Sequence, residues 1–126
     1  LYIGGVTAIS CEHFRLLNGF SNDYWGWGYE DHDLRLRMLA VGLRAEARDG
    51  AYRALAHPHN GFGGDGQETE AGRRNRERIE ALHRDGFTAW HEDGLNSLAF
   101  RHLDSAPLEI DGRRWDQVTH HRVRFD

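Results

Sequence analysis

The chain has 126 residues, 39% of them hydrophobic, which suits one compact domain or one lobe of a larger one. A net charge of −4 offers no basic surface for following phosphate backbones and argues against nucleic acid as a partner. No apolar run approaches the ~20 residues that a membrane span needs, and Cys11, the single cysteine, rules out an internal disulfide and a Cys-rich zinc site. The sequence opens at Leu1 directly on a strand-like run, so a piece of a longer chain is expected. All 16 basic residues are Arg. A GC-rich coding genome explains that better than any demand of the fold, and it points to a bacterial source and a cytoplasmic location.

In chain order, residues 2–9 are rich in β-formers around Gly4 and Gly5 and predict a strand. Ser10 is placed to cap a short helix through Phe14, Leu16 and Leu17 that Gly19 ends. Residues 20–29 have no usable period and read as a loop. From Glu30 the apolar residues Leu34, Met38 and Val41 form an i, i+4, i+7 stripe that stops at Gly42. Glu30, Asp31 and Asp33 then fall on the first turn of a helix. Residues 44–47 and 52–57 read as short strands about an Asp49-Gly50 turn. The glycine-rich polar run that follows, residues 59–72, reads as a long mobile loop. Residues 71–85 predict a charged helix with Ile79 and Leu82 on its thin apolar face and Gly86 as its cap. The remainder, with Leu95, Leu98, Phe100, Leu103, Val118, Val123 and Phe125, reads as short strands and turns.

The loop carrying Tyr24, Trp25, Trp27 and Tyr29 runs straight into Glu30 and Asp31. Flat aromatic faces stack on the C–H face of a sugar ring and carboxylates accept from its hydroxyls, so the segment has both components of a carbohydrate site. Gly26 and Gly28 let the backbone come close to a ligand. The plainer alternative makes the tryptophans core plugs and the acidic residues complements of the helix N-terminus. His57 and His59 lie two apart at the end of a predicted strand, a spacing that puts two imidazoles on one face. Alone, such a pair in a chain with nine histidines is more often surface decoration.

GGVTAI, NGFSNDYWGWGYEDHDL and DGLNSL occur in an order and spacing that resemble the β-1,4-galactosyltransferases of glycosyltransferase family 7, over nearly the whole chain. The resemblance implies an α/β fold: the C-terminal half of a GT-A fold, with short strands, two to three helices and a long mobile loop, spanning residues 1–126. The N-terminal nucleotide-binding half, with its DxD motif, would lie outside the chain. It implies inverting transfer of galactose from UDP-galactose to a sugar acceptor of the N-acetylglucosamine or xylose type. By position, Asp31 matches the catalytic base, Glu30 a residue that holds sugar hydroxyls, and Trp27 the tryptophan of a loop that closes over the donor. Gly5 matches a glycine whose backbone approaches the donor, and Tyr2 a position that favours galactose over N-acetylgalactosamine. His32 stands where better-known members place an acceptor-binding aspartate, and Tyr29 where glycine is frequent, so the acceptor is left open. Asp31-His32-Asp33 spells a DxD by coincidence.

The resemblance also makes His57 a manganese ligand and matches His59 to the second histidine of the xylose-galactosylating branch, while Ala54 replaces a ligating methionine. Mn2+ is the cofactor so implied. Arg73, Arg74 and Arg76 read as a solvated helix face, and the DGLNSL motif as structural, with Asn96 satisfying backbone groups. Three alternatives stand beside this reading: a relative transferring N-acetylgalactosamine, one extending a polysaccharide, and a non-catalytic sugar- or metal-binding fragment. The chain alone is expected to transfer little. An animal-type parent would place it in the Golgi lumen instead of the cytoplasm.

Overall fold

A computed structural model describes residues 3–51 and 67–125. Its elements in order are α1 (Cys11–Leu16), α2 (Glu30–Ala40), α3 (Glu70–Arg84), a 3-10 turn (Ala89–Glu92), β1 (Arg101–Ile110) and β2 (Arg113–Arg124). The three helices match the predicted ones to within a few residues. Ser10 caps α1 by accepting from the His13 amide at 3.1 Å, and Thr69 caps α3 by accepting from Gly72 at 3.1 Å. The helix thus begins at Glu70, inside the stretch expected to be loop and two residues before its predicted end at Gly72.

Two strand expectations fail. Residues 3–9 are irregular, with Val6 84% exposed, and they pair with neither strand of the described sheet. Residues 44–51 are irregular as well, so the strand expected at 44–47 does not form. The partner run, 52–57, lies outside the described residues. The flanking residues Arg44, Ala45, Glu46 and Ala47 explain this, because none is β-branched or aromatic and little would pack across a ladder. Among the described residues a hairpin forms at Asp111-Gly112, both with positive φ (50° and 71°), as a two-residue turn of the primed kind requires. It joins two strands of 10 and 12 residues, not the several short ones expected. Their antiparallel register runs from Arg101↔Arg124 to Ile110↔Arg113, with shifts at His102/Asp104 and Pro107/Leu108. Proline has no N–H for the ladder, and a bulge is one of the few places a strand tolerates it.

The described core is thin. Leu17 (α1 C-cap), Leu34 (α2), Ile79 and Leu82 (α3) are its buried apolar side chains, and Asp33, Arg37 and Asn75 are buried with them. Arg37 is 1% exposed and lies between the segments it joins. Its Nε donates to both Asp33 oxygens at 3.0 and 3.2 Å, its Nη1 to the Asp93 carbonyl at 2.7 Å, and its guanidinium lies 5.9 Å from the Trp90 ring centroid. Asp93 opens the DGLNSL motif, whose Gly94 leaves no room for a side chain: an added Cβ would stand 1.9 Å from the Asn18 carbonyl oxygen. Asn96 fulfils its structural role, donating to the His91 carbonyl at 2.9 Å and accepting from Asn18 at 2.7 Å.

Asp93 is the polar hub of this layer. Ser21 donates to it through its hydroxyl, Asn22 through its amide at 3.0 Å and Arg78 through Nη2 at 2.8 Å. Burial alone would raise the Asp93 carboxyl, but the Ser21 and Asn22 hydrogen bonds and the Arg78 and Arg37 charges outweigh it and hold the group below the usual carboxylate range. A depressed folded-state value stabilises the fold above the unfolded value and the contribution is lost as pH falls. We therefore expect the melting temperature to drop on acidification through ~pH 4. Thermal scans at neutral and acid pH should show a shallower drop for Asp93→Asn than for wild type.

Candidate functional site

The segment from Tyr24 to Asp33 passes from an irregular loop into the first turn of α2. Three of four successive positions take positive φ: Gly26 (79°) and Gly28 (103°) flank Trp27, and Tyr29 follows at 74°. Tyr29 is the N-cap of α2 and supplies no side-chain cap. Its carbonyl accepts the first helical bond from Asp33 at 2.9 Å. Tyrosine in a left-handed conformation costs energy that glycine would not, so the loop's other contacts must hold it there.

Asn75 of α3 is the chief of those contacts. Buried to 3% exposure, its side-chain amide donates to the carbonyls of Trp25, Trp27 and Gly28 at 3.0, 3.1 and 3.0 Å, and its oxygen accepts from the Trp25 amide at 3.4 Å. One side chain therefore fixes the backbone of the whole WGWG turn. The Ala71 methyl stands 3.1 Å from where a Cβ on Gly26 would be, so α3 also approaches that turn closely. Neither Asn75 nor the buried Asp33–Arg37 pair was expected from the sequence. The pair did leave a signal, an Asp and an Arg four apart on either side of Leu34 in the buried stripe. Asn75 left none beyond being an uncharged residue in an Arg- and Glu-rich helix.

The rings divide between two roles. Trp25 and Trp27 are 65% and 47% exposed, so neither is a core plug in the described structure. Trp25 meets Phe125 edge to face at a centroid separation of 6.3 Å. Tyr24 turns inward beneath the Arg78 guanidinium, 5.6 Å from its ring centroid. Burial, with the Asp33 charge behind it, pushes the Tyr24 hydroxyl above its ordinary range and keeps it neutral.

The structure brings Trp27, Glu30, Asp31 and His32 together at one loop-to-helix junction. Asp31 is half-buried and accepts from the His32 amide at 2.7 Å, while Glu30 and His32 are exposed. The His32 ring reaches α3, where its Nε2 lies 3.3 Å from Nε2 of His83. Gly5 is exposed at φ 95° with open space around it, and no hydrogen bond or ring contact joins it to this junction among the described residues. Tyr2, His57 and His59 lie outside the described residues, together with Ala54 and most of the expected mobile loop. Among the described residues no group of three or more His, Cys, Asp or Glu could hold a metal ion. Arg73, Arg74 and Arg76 bear out the solvated-face reading: they pair with Glu70, Glu77 and Glu80 on the outer face of α3 and with Glu68 just before it, exposed pairs that add little to stability.

Exposed indole faces set against carboxylates on the first turn of a helix form an arrangement suited to carbohydrate. Comparison with known proteins gives it a family. A family model described as the N-terminal domain of galactosyltransferase matches residues 1–60. Human β-1,4-galactosyltransferase 4 is 40% identical over 115 residues, 87% of this chain and 30% of that protein. The Cricetulus griseus protein of the same name is 40% identical over 105 residues, 81% of this chain and 28% of its own. Human β-1,4-galactosyltransferase 7 is 31% identical over 114 residues, 88% of this chain and 32% of its own. The chain belongs to the galactosyltransferase family. It spans about 30% of the length of these relatives. The relatives are mammalian, and the bacterial, cytoplasmic expectation finds no support among them. No helix of the described residues is long and apolar enough to cross a membrane.

Proposed function

We propose that this chain is the C-terminal, acceptor- and metal-binding half of a GT-A enzyme that moves galactose from UDP-galactose to a sugar hydroxyl with inversion. The model matched by residues 1–60 is described as an N-terminal domain, so the position within the parent is itself part of the proposal. The observation that carries the reading is the junction at α2, where a half-buried carboxylate sits one turn of chain from two exposed indoles.

In this reading the indole of Trp27 covers the apolar face of a sugar ring and Glu30 accepts from its hydroxyls. Asp31 takes the proton from the attacking acceptor hydroxyl. An alcohol is a weak nucleophile until that proton has somewhere to go, and a positioned base is commonly worth ~10²–10⁴ in rate. The carboxylate must then lie on the face of the donor sugar opposite the departing diphosphate, which is why the product is inverted. His32, beside Asp31 on the exposed surface, bears on acceptor choice. Tyr2 and Gly5 are assigned to the donor side.

His57 and His59 would hold Mn2+ with the DxD carboxylate of the other half and the UDP phosphates. Two imidazoles completed by oxygen donors form a set that such an ion accepts. The ion, when bound, neutralises charge growing on the leaving diphosphate. His57→Ala in the intact protein should raise the Mn2+ concentration for half-maximal transfer at least ~10-fold, the lower end of what even outer-shell changes cost a metal site. An unchanged metal titration would remove His57 from the site. The proposal as a whole is tested by a screen of UDP-galactose against UDP-N-acetylgalactosamine, with N-acetylglucosamine and xylose acceptors. Transfer confined to UDP-N-acetylgalactosamine would shift the assignment to that relative, and binding without transfer would leave a sugar-binding fragment. An animal-type parent puts the enzyme in the Golgi lumen.

A further inference from the structure

His32 lies in the first turn of α2 and His83 in the last turn of α3, and their rings meet edge to face with centroids 5.4 Å apart at an interplanar angle of 86°. The two Nε2 atoms are 3.3 Å apart, longer than the ~2.9–3.0 Å typical of an N–H hydrogen bond. A tetrahedral ion with metal–nitrogen bonds of ~2.0–2.1 Å holds two ligating nitrogens ~3.3–3.4 Å apart. The observed separation is therefore the chord of such a site. Both side chains are exposed, so an ion can enter and water can complete its coordination.

The helices that carry the two rings are fixed independently of them. Asn75 ties α3 to the turn that precedes α2, and Asp93 links Arg78 of α3 at 2.8 Å to Arg37 of α2 at 3.8 Å. Binding would then meet ligands already in place. Charge favours a cation as well. Glu30 and Asp31 share the first turn of α2 with His32, and His83 lies in the last turn of α3, where the carbonyl end of the helix dipole is negative.

We propose that His32 and His83 form a two-imidazole site for a divalent transition ion of the zinc and nickel class, which imidazole suits. The site is separate from the manganese ligands assigned above and needs nothing from the transfer reaction. If Asp31 is the base, an ion here sits beside it and blocks the acceptor, so micromolar zinc would inhibit transfer. That consequence alone rests on the proposed function. The hairpin carries a second pair, His102 Nε2 and His121 Nδ1 at 3.4 Å, but the Ser105 hydroxyl already bridges them at 2.7 and 2.8 Å. That pair serves as the control.

The test is calorimetric titration of the intact protein with zinc chloride, on a His57→Ala/His59→Ala background that removes the other pair. It is read alongside NMR of labelled histidine rings. One ion per chain should bind, moving the His32 and His83 resonances. His83→Gln or His32→Gln should weaken binding at least tenfold. His83→Cys should restore it, because thiolate is a zinc ligand and a mere ring contact would not be rescued. Binding unchanged by His32→Gln and His83→Gln, or zinc shifts confined to His102 and His121, overturns the site. Failure here leaves galactosyl transfer untouched, and failure of transfer leaves the zinc titration as it stands.

Discussion

Asp31→Asn in the intact protein should lower kcat for galactosyl transfer by ~10²–10⁴ while donor binding and thermal stability stay close to wild type. The two readouts separate cleanly because of where the residue sits. Asp31 is half-buried on the first turn of α2, and its recorded hydrogen bond is acceptance from the His32 amide, which an asparagine oxygen can also make. What asparagine cannot do is take up a proton from the acceptor. Asp33, two residues on, is the carboxylate that serves the fold, being fully buried against Arg37. Turnover in Asp31→Asn within a fewfold of wild type would remove Asp31 from the chemistry. A large loss of stability would show that its role is structural.

Arg37→Met should be the most destabilising single change considered. Removing one partner from a buried pair strands the other, and such a loss typically costs ~3–5 kcal/mol. Here Asp33, 0% exposed, would lose its partner at 3.0 Å, and the Asp93 carbonyl would lose its 2.7 Å donor. The double variant Asp33→Leu/Arg37→Met removes both charges and should recover much of the loss. It should fall short of wild type by ~1–3 kcal/mol, because the part-buried Asp93 carbonyl still lacks its Arg37 donor. Urea denaturation of the three proteins would decide this. A double variant no more stable than Arg37→Met would mean that the guanidinium acts through the carbonyls and Trp90, and not through Asp33.

Which features were legible in the sequence follows from how local they are. The helices were, because Ser10, the stripe around Leu34 and the pair Ile79/Leu82 signal through neighbours three or four residues away. The strands were not. An Asp-Gly turn is equally visible at 49–50 and 111–112, but residues 44–47 before the first form no strand, whereas the second joins strands of 10 and 12 residues. The candidate site was legible as composition, WGWG beside Glu30 and Asp31. Its support was not, since Asn75 acts across about fifty residues and Asp93 across about seventy. Side chains that organise a backbone far away in sequence have no period to read. The backbone of the Trp27 turn is held by Asn75, and Asp93 anchors the chain at Ser21 and Asn22 that leads into it.

The most direct test of the central claim is the anomeric configuration of the product, read by proton NMR. The intact protein is incubated with UDP-galactose and an N-acetylglucosamine or xylose acceptor, with Mn2+ and with chelator. A β-linked galactoside from the α-linked donor is expected, formed with Mn2+, lost with chelator and lost in Asp31→Asn. An α-linked product, or a β-linked product formed equally well by Asp31→Asn, would contradict it.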